Sequence, residues 1–84
     1  MDKQIKLATP IKIDGVEVKV LTMRKPKVRD MLAVDNIPGQ AKKEITLMAN
    51  LCEVTTADIE DLDMDDYEQL QETYQSFLSS TPKT

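Results

Sequence analysis

From Asp61 to Glu72 the chain reads Asp-Leu-Asp-Met-Asp-Asp-Tyr-Glu-Gln-Leu-Gln-Glu; counted from Asp61, acids stand at positions 1, 3, 5 and 12. An EF-hand loop puts calcium-binding carboxylates at those positions, so the spacing raises the question of metal chemistry. Two residues argue against it. The sixth position needs glycine for a sharp turn and here is Asp66, and the eighth, normally apolar because it pairs with a neighbouring loop, is Glu68. Tyr67, Leu70, Tyr74, Phe77 and Leu78 also recur at helical spacing straight through the second half of the stretch. The segment therefore reads as an acidic helix start, with Asp63 or Asp65 as cap and the other carboxylates complementing the helix dipole. Neither a metal site nor a cofactor is expected.

Other catalytic chemistry is equally poorly supplied. The chain has no histidine, which removes the commonest general base and the commonest transition-metal ligand together. Cys52 is the single cysteine, so no internal disulfide can form, and it sits in an apolar helical stripe as a core residue does. Ser76, Ser79 and Ser80 lie at the end of the last helical pattern, and none stands in the Asp-Ser-Leu setting that acyl carrier proteins modify. The expectation is a protein that is not an enzyme.

What must position these residues is one small domain spanning 1–84, ordered from about 4 to 79, with a short polar C-terminal tail. At this length a domain buries roughly 60–65% of its unfolded surface, which leaves little room for an internal active site. Hydrophobic residues make up 40% and charged residues 31%, a balance that favours a folded domain over a disordered one. The sequence MDKQIKLATP has no apolar run, and no segment approaches membrane-spanning length, so neither export nor a membrane partner is expected. The net charge of −4 is uneven. Residues 1–29 hold eight Lys and Arg against three acids, and residues 53–72 hold nine acids and no base. The basic half has no aromatic residue to stack on a base, and nucleic acid is not expected as a partner. Opposite charge in the two halves suits contact with another protein or another copy of the chain.

The plainest local signal is Ile11-Lys12-Ile13-Asp14-Gly15-Val16-Glu17-Val18. Asp14-Gly15 between alternating runs predicts a two-residue type I′ turn, which pairs Ile13 with Val16, Ile11 with Val18, and Lys12 with Glu17 on the other face. Ile5 and Leu7 add alternation at an edge, before Pro10 interrupts. Pro26 opens a first helix whose apolar side is Val28, Met31, Leu32 and Val34, ended by Asn36-Ile37-Pro38-Gly39. A second helix runs from about Gln40 to Glu53 on a stripe of Ala41, Ile45, Met48 and Cys52, with Leu47 and Leu51 beside it. Thr55 or Thr56 caps a short third helix holding Ile59 and Leu62, and the Tyr67–Leu78 stripe forms the last. The fold class is α+β: an N-terminal hairpin turning at Asp14 and Gly15, packed on three or four helices.

Two stretches together resemble a known family. Ile13–Val18 followed by Leu21-Thr22-Met23-Arg24-Lys25-Pro26-Lys27-Val28-Arg29-Asp30-Met31-Leu32 is similar to the hairpin, "L-T-x-R-x-P" and "V-x-D-x-L"-like run of the small tail assembly chaperones of contractile-tailed and Mu-like phages and prophages. Asp66-Tyr67-Glu68-Gln69-Leu70-Gln71 and Phe77-Leu78 resemble that family's "D-Y-x-x-L-Q" and closing aromatic-Leu pair. The resemblance spans most of residues 9–78 and implies a non-catalytic protein of the bacterial cytoplasm. Such a protein binds the phage tape measure protein, helps recruit tail tube protein, and is missing from the finished virion. Permanent tail or baseplate components, and an acidic metal-binding or carrier-type protein, are the alternatives. The stripe holds every aromatic residue of the chain and runs into a polar tail, which makes Tyr74, Phe77 and Leu78 the expected partner-binding residues.

Overall fold

The structure is a computed structural model that describes residues 2–79. Among these residues run strands β1 (Lys3–Ile13) and β2 (Val16–Met23) and helices α1 (Val28–Ala33), α2 (Gln40–Cys52), α3 (Thr56–Glu60) and α4 (Met64–Ser79). The strands form an antiparallel ribbon; α4 lies against β1 and α2 against β2. This is the α+β arrangement that the hairpin and the helical stripes predict.

The turn is the one Asp-Gly demands. Asp14 (φ 52°) and Gly15 (φ 78°) both occupy the left-handed region, and the register is Ile13 to Val16, Lys12 to Glu17 and Ile11 to Val18. Pro10, however, does not interrupt the strand. Lys6 pairs with Val20 and Ile11 with Val18, so Leu7, Ala8, Thr9 and Pro10 together stand opposite Lys19 in an enlarged bulge. Inside a bulge no ladder bond is asked of Pro10, which has no N–H to give. Across from it, the inward side of β2 moves from even positions (Val18, half-buried) to odd ones (Leu21 and Met23, buried). The core gathers Ile5, Leu7, Ile11, Leu21 and Met23 from the ribbon with Met48, Leu51, Cys52, Ile59 and Leu70 from the helices.

The start of α1 and the burial along α1 and α2 depart from expectation. Pro26 lies outside α1: Lys27 is the N-cap, in extended backbone (φ −122°, ψ 161°), and the first helical residue is Val28. Of the expected apolar side of α1, Val34 alone is buried; Val28, Met31 and Leu32 are 71%, 61% and 64% exposed, and the buried companion of Val34 is Asp30. On α2 the buried set is Met48, Ala49, Leu51 and Cys52, while Ile45 is half-buried and Ala41 exposed. Thr55 caps α3 as expected, its hydroxyl accepting from Asp58 N–H (3.1 Å) while the Asp58 carboxylate accepts from Thr55 N–H (3.0 Å).

Candidate functional site

Three buried or half-buried carboxylates hold the elements in place, Asp66 and Glu44 through atoms far from them in sequence and Asp30 through nearer ones. Asp66, in the first turn of α4, is wholly buried and accepts the backbone N–H groups of Ala8 (2.8 Å) and Thr9 (3.0 Å), with the Gln69 amide at 3.3 Å. It satisfies the donors that the bulge withdraws from the ladder, and its charge sits where the dipole of α4 favours an anion. Asp65 accepts from Asp66 N–H (2.9 Å), and Asp63 contributes its carbonyl to Tyr67 N–H (2.9 Å), so the cap of α4 is shared rather than supplied by a single side chain. From Met64 onward the calcium-like stretch is helix, and among the described residues no three His, Cys, Asp or Glu side chains are gathered to hold a metal ion.

Asp30 accepts two hydrogen bonds from the Arg24 guanidinium (2.8 and 2.9 Å) and one from Lys27 N–H (2.7 Å). The Arg24 bond holds the Asp30 carboxyl below the ordinary carboxylate value, against the opposing effect of burial, and Asp30 in turn raises Arg24. Arg24 N–H also donates to Leu51 O at the end of α2 (3.0 Å). The pair thus joins the end of β2, the start of α1 and the end of α2.

Glu44 of α2 accepts from the Tyr67 hydroxyl (2.8 Å) and the Gln71 amide (3.1 Å) of α4. Burial, then this hydrogen bond, pushes the Tyr67 phenol up. α2 and α4 are not packed side by side. Each rests on its own strand, and Glu44 spans the gap between them. Among the described residues, a groove flanks this bridge on either side, the first of mixed lining that includes Asp35 and Lys43, the second mainly apolar. The first, of about 290 Å³, runs between α1, α2 and α4 and is lined by Met31, Val34, Leu47, Met48, Tyr74 and Gln75 among others. The second, of about 420 Å³, lies between α2, α3 and α4 and includes Ile45, Ile59, Leu62 and Met64. Glu44 and Gln71 wall both.

The three expected partner-binding residues are placed differently from one another. Tyr74 is half-buried and faces the first groove. Leu78 is 51% exposed and by helical spacing continues the line of Gln71 and Tyr74 one turn on. Phe77 is half-buried against the core, with Lys3 Nζ 4.6 Å from its ring centre and donating to Ser76 Oγ. Cys52 is buried, and burial pushes its thiol up to about 11. It is a core residue without thiolate chemistry at neutral pH. Sequence reasoning missed the surface of α1: its apolar spacing was visible, and its direction was not.

A family model described as phage tail assembly chaperone proteins, E, or 41 or 14, matches residues 4–79. The chain belongs to this family. The matched span takes in the ribbon and every described helix of the chaperone. No curated protein and no solved structure matches it significantly. The run Leu21-Thr22-Met23-Arg24-Lys25-Pro26 has a physical role in this chaperone. Leu21 and Met23 close the core, Arg24 holds Asp30, and Pro26 precedes the extended cap that turns the chain into α1. In the Asp66-Tyr67 pair, one side chain ties α4 to β1 and the other ties α4 to α2.

Proposed function

We propose that this chaperone acts without catalysis in the bacterial cytoplasm, binding the phage tape measure protein before and during tail polymerisation and leaving before the virion is complete. Tail tube protein is its second partner, recruited to the bound tape measure. The observation that carries this reading is the groove between α1, α2 and α4. Its apolar residues, Met31, Val34, Leu47, Met48 and Tyr74, can take the stripe of an amphipathic helix laid against them. Met31 stands at one rim, Tyr74 forms a wall, Leu78 extends the wall by a turn, and Phe77 anchors that turn of α4 to β1. Gln40, Gln71 and Gln75 around the groove offer neutral hydrogen bonds, and Asp35, Lys43 and Glu44 offer charges of both signs to the polar flanks of a client helix.

Co-expression with the tape measure protein, followed by pull-down, tests the reading. Met31→Lys places a charge on the groove rim at a residue that is already exposed, so the fold survives; client capture should fall at least tenfold. Leu78→Ser should weaken capture to a lesser degree. Capture at the wild-type level by both variants would remove this groove from the mechanism. Stoichiometric presence of the chain in purified particles would make it a permanent tail component instead.

A further inference from the structure

A second surface lies beyond the client groove. With Asp30 of α1 and Val34 at its C-cap turned inward, helical geometry sends Val28 and Leu32, one turn apart, to the opposite side of the helix. They form an apolar knob, and the exposed side chains of Lys25, Lys27 and Arg29 surround it with positive charge. The groove between α2, α3 and α4 is its counterpart: apolar within (Ile45, Leu62, Met64), with Glu44 and Glu60 in its lining and exposed Asp61 and Asp63 on either side of Leu62 in the chain. Met64 is 68% exposed at its mouth. The knob is on α1, whereas this groove lies past the Glu44 bridge from the α1-side groove.

We propose that Val28 and Leu32 of one copy dock in the α2–α3–α4 groove of the next. The occupant is a second copy because shape and charge agree: an apolar knob ringed by cations meets an apolar groove ringed by carboxylates. Such a contact is heterologous. Every bound copy leaves its own groove and its partner's knob open, so the association runs head to tail and does not close on a dimer. Tyr74 and Leu78, on the α4 side of the client groove, take no part in it, so the contact holds whether or not the client groove is assigned correctly.

The test needs only the purified chain. Sedimentation velocity over a concentration series should show the wild type growing beyond dimer, with the average mass falling as salt is raised and the ring of charges is screened. Leu32→Glu sets an acid against the acidic rim, and Met64→Glu puts a charge in the groove mouth at the first residue of α4, where the helix dipole welcomes it. Each variant alone should sediment as a monomer, with an unchanged circular dichroism spectrum. Mixed in equal amounts, they should form a heterodimer and stop there, because Leu32→Glu keeps its groove and Met64→Glu keeps its knob. A wild type that stays monomeric at every concentration overturns the proposal. So does undiminished self-association in either variant, which would place the contact elsewhere, for instance at the edge of β2. Failure of the mixture to pair would do the same.

Discussion

Asp66 is one carboxylate among nine acids in twenty residues, yet it is the one removed from water. Burying a charge is unfavourable unless donors replace the water it loses, and here backbone N–H groups do so. Asp66→Asn keeps the shape but turns an NH2 toward those donors. One backbone N–H is then left unsatisfied, which costs about 1–3 kcal/mol. For a domain of this size each kcal/mol lowers the melting temperature by roughly 4–8 °C, so a fall well outside error is expected in thermal denaturation. Asp61→Asn, at the exposed head of the calcium-like stretch, should leave the melting temperature unchanged with or without millimolar calcium. Asp30 makes a pH-dependent counterpart. Its folded value is depressed below the ordinary 3.8, so its stabilisation is fully present above 3.8 and is lost as pH falls through the lower folded value. Urea unfolding on the acid side should show stability declining in that window, and Arg24→Gln should flatten the decline. An identical slope in the variant would mean that other carboxylates dominate acid unfolding.

The elements differ in how far they were legible from their own residues. The hairpin is a local object: Asp14-Gly15 fixes the turn, and the turn fixes a register that alternation confirms. Nothing local discloses the bulge, because its N–H groups are satisfied by a side chain 57 and 58 residues away. One trace does lie in the sequence: Val20 and Leu21 are adjacent apolar residues that break the alternation of β2 at the point where its inward side changes. α1 misled for the opposite reason. Val28, Met31 and Leu32 have the spacing of a core-facing stripe, and the Arg24–Asp30 pair decides that the other side of the helix faces in. Periodicity gives an amphipathic helix its faces but does not say which is covered. At the turn, Gly15→Val is a clean test, since a Cβ there meets nothing within 4 Å and the effect is confined to backbone conformation. Forcing a β-branched residue into the left-handed region costs upwards of about 1–2 kcal/mol. Asparagine, which visits that region readily, should lose much less at the same site. Equal melting temperatures for the two variants and wild type would contradict the type I′ turn.

On the scale of the whole molecule, α4 packs chiefly on the ribbon, whereas α1 and α3 pack chiefly on α2. α2 rests on β2 and α4 on β1, and Glu44 spans the space between them with hydrogen bonds to Tyr67 and Gln71. If the client is the long helix proposed above, held and then released, such an arrangement serves that task. A client stripe can enter beside the bridge without separating packed helices, so binding need not be preceded by local unfolding. The proposed client groove therefore makes a prediction about hydrogen exchange. In the free protein, amides around Leu70, close to the ribbon, should exchange most slowly in α4, and those from Tyr74 to Leu78 faster. A synthetic amphipathic helix carrying one apolar stripe of the tape measure protein should slow exchange in 71–78 and 43–48. α3 should be unaffected by it, because the groove beside α3 lies across the bridge. Tyr67→Phe removes one of the hydrogen bonds to Glu44 while keeping the ring. It should quicken exchange in both helices near the gap and leave peptide affinity within about twofold, since the bridge walls the groove without anchoring the client. Protection centred on α3 would mean that the client occupies the other groove. A large loss of affinity in Tyr67→Phe would mean that the bridge itself is part of the contact.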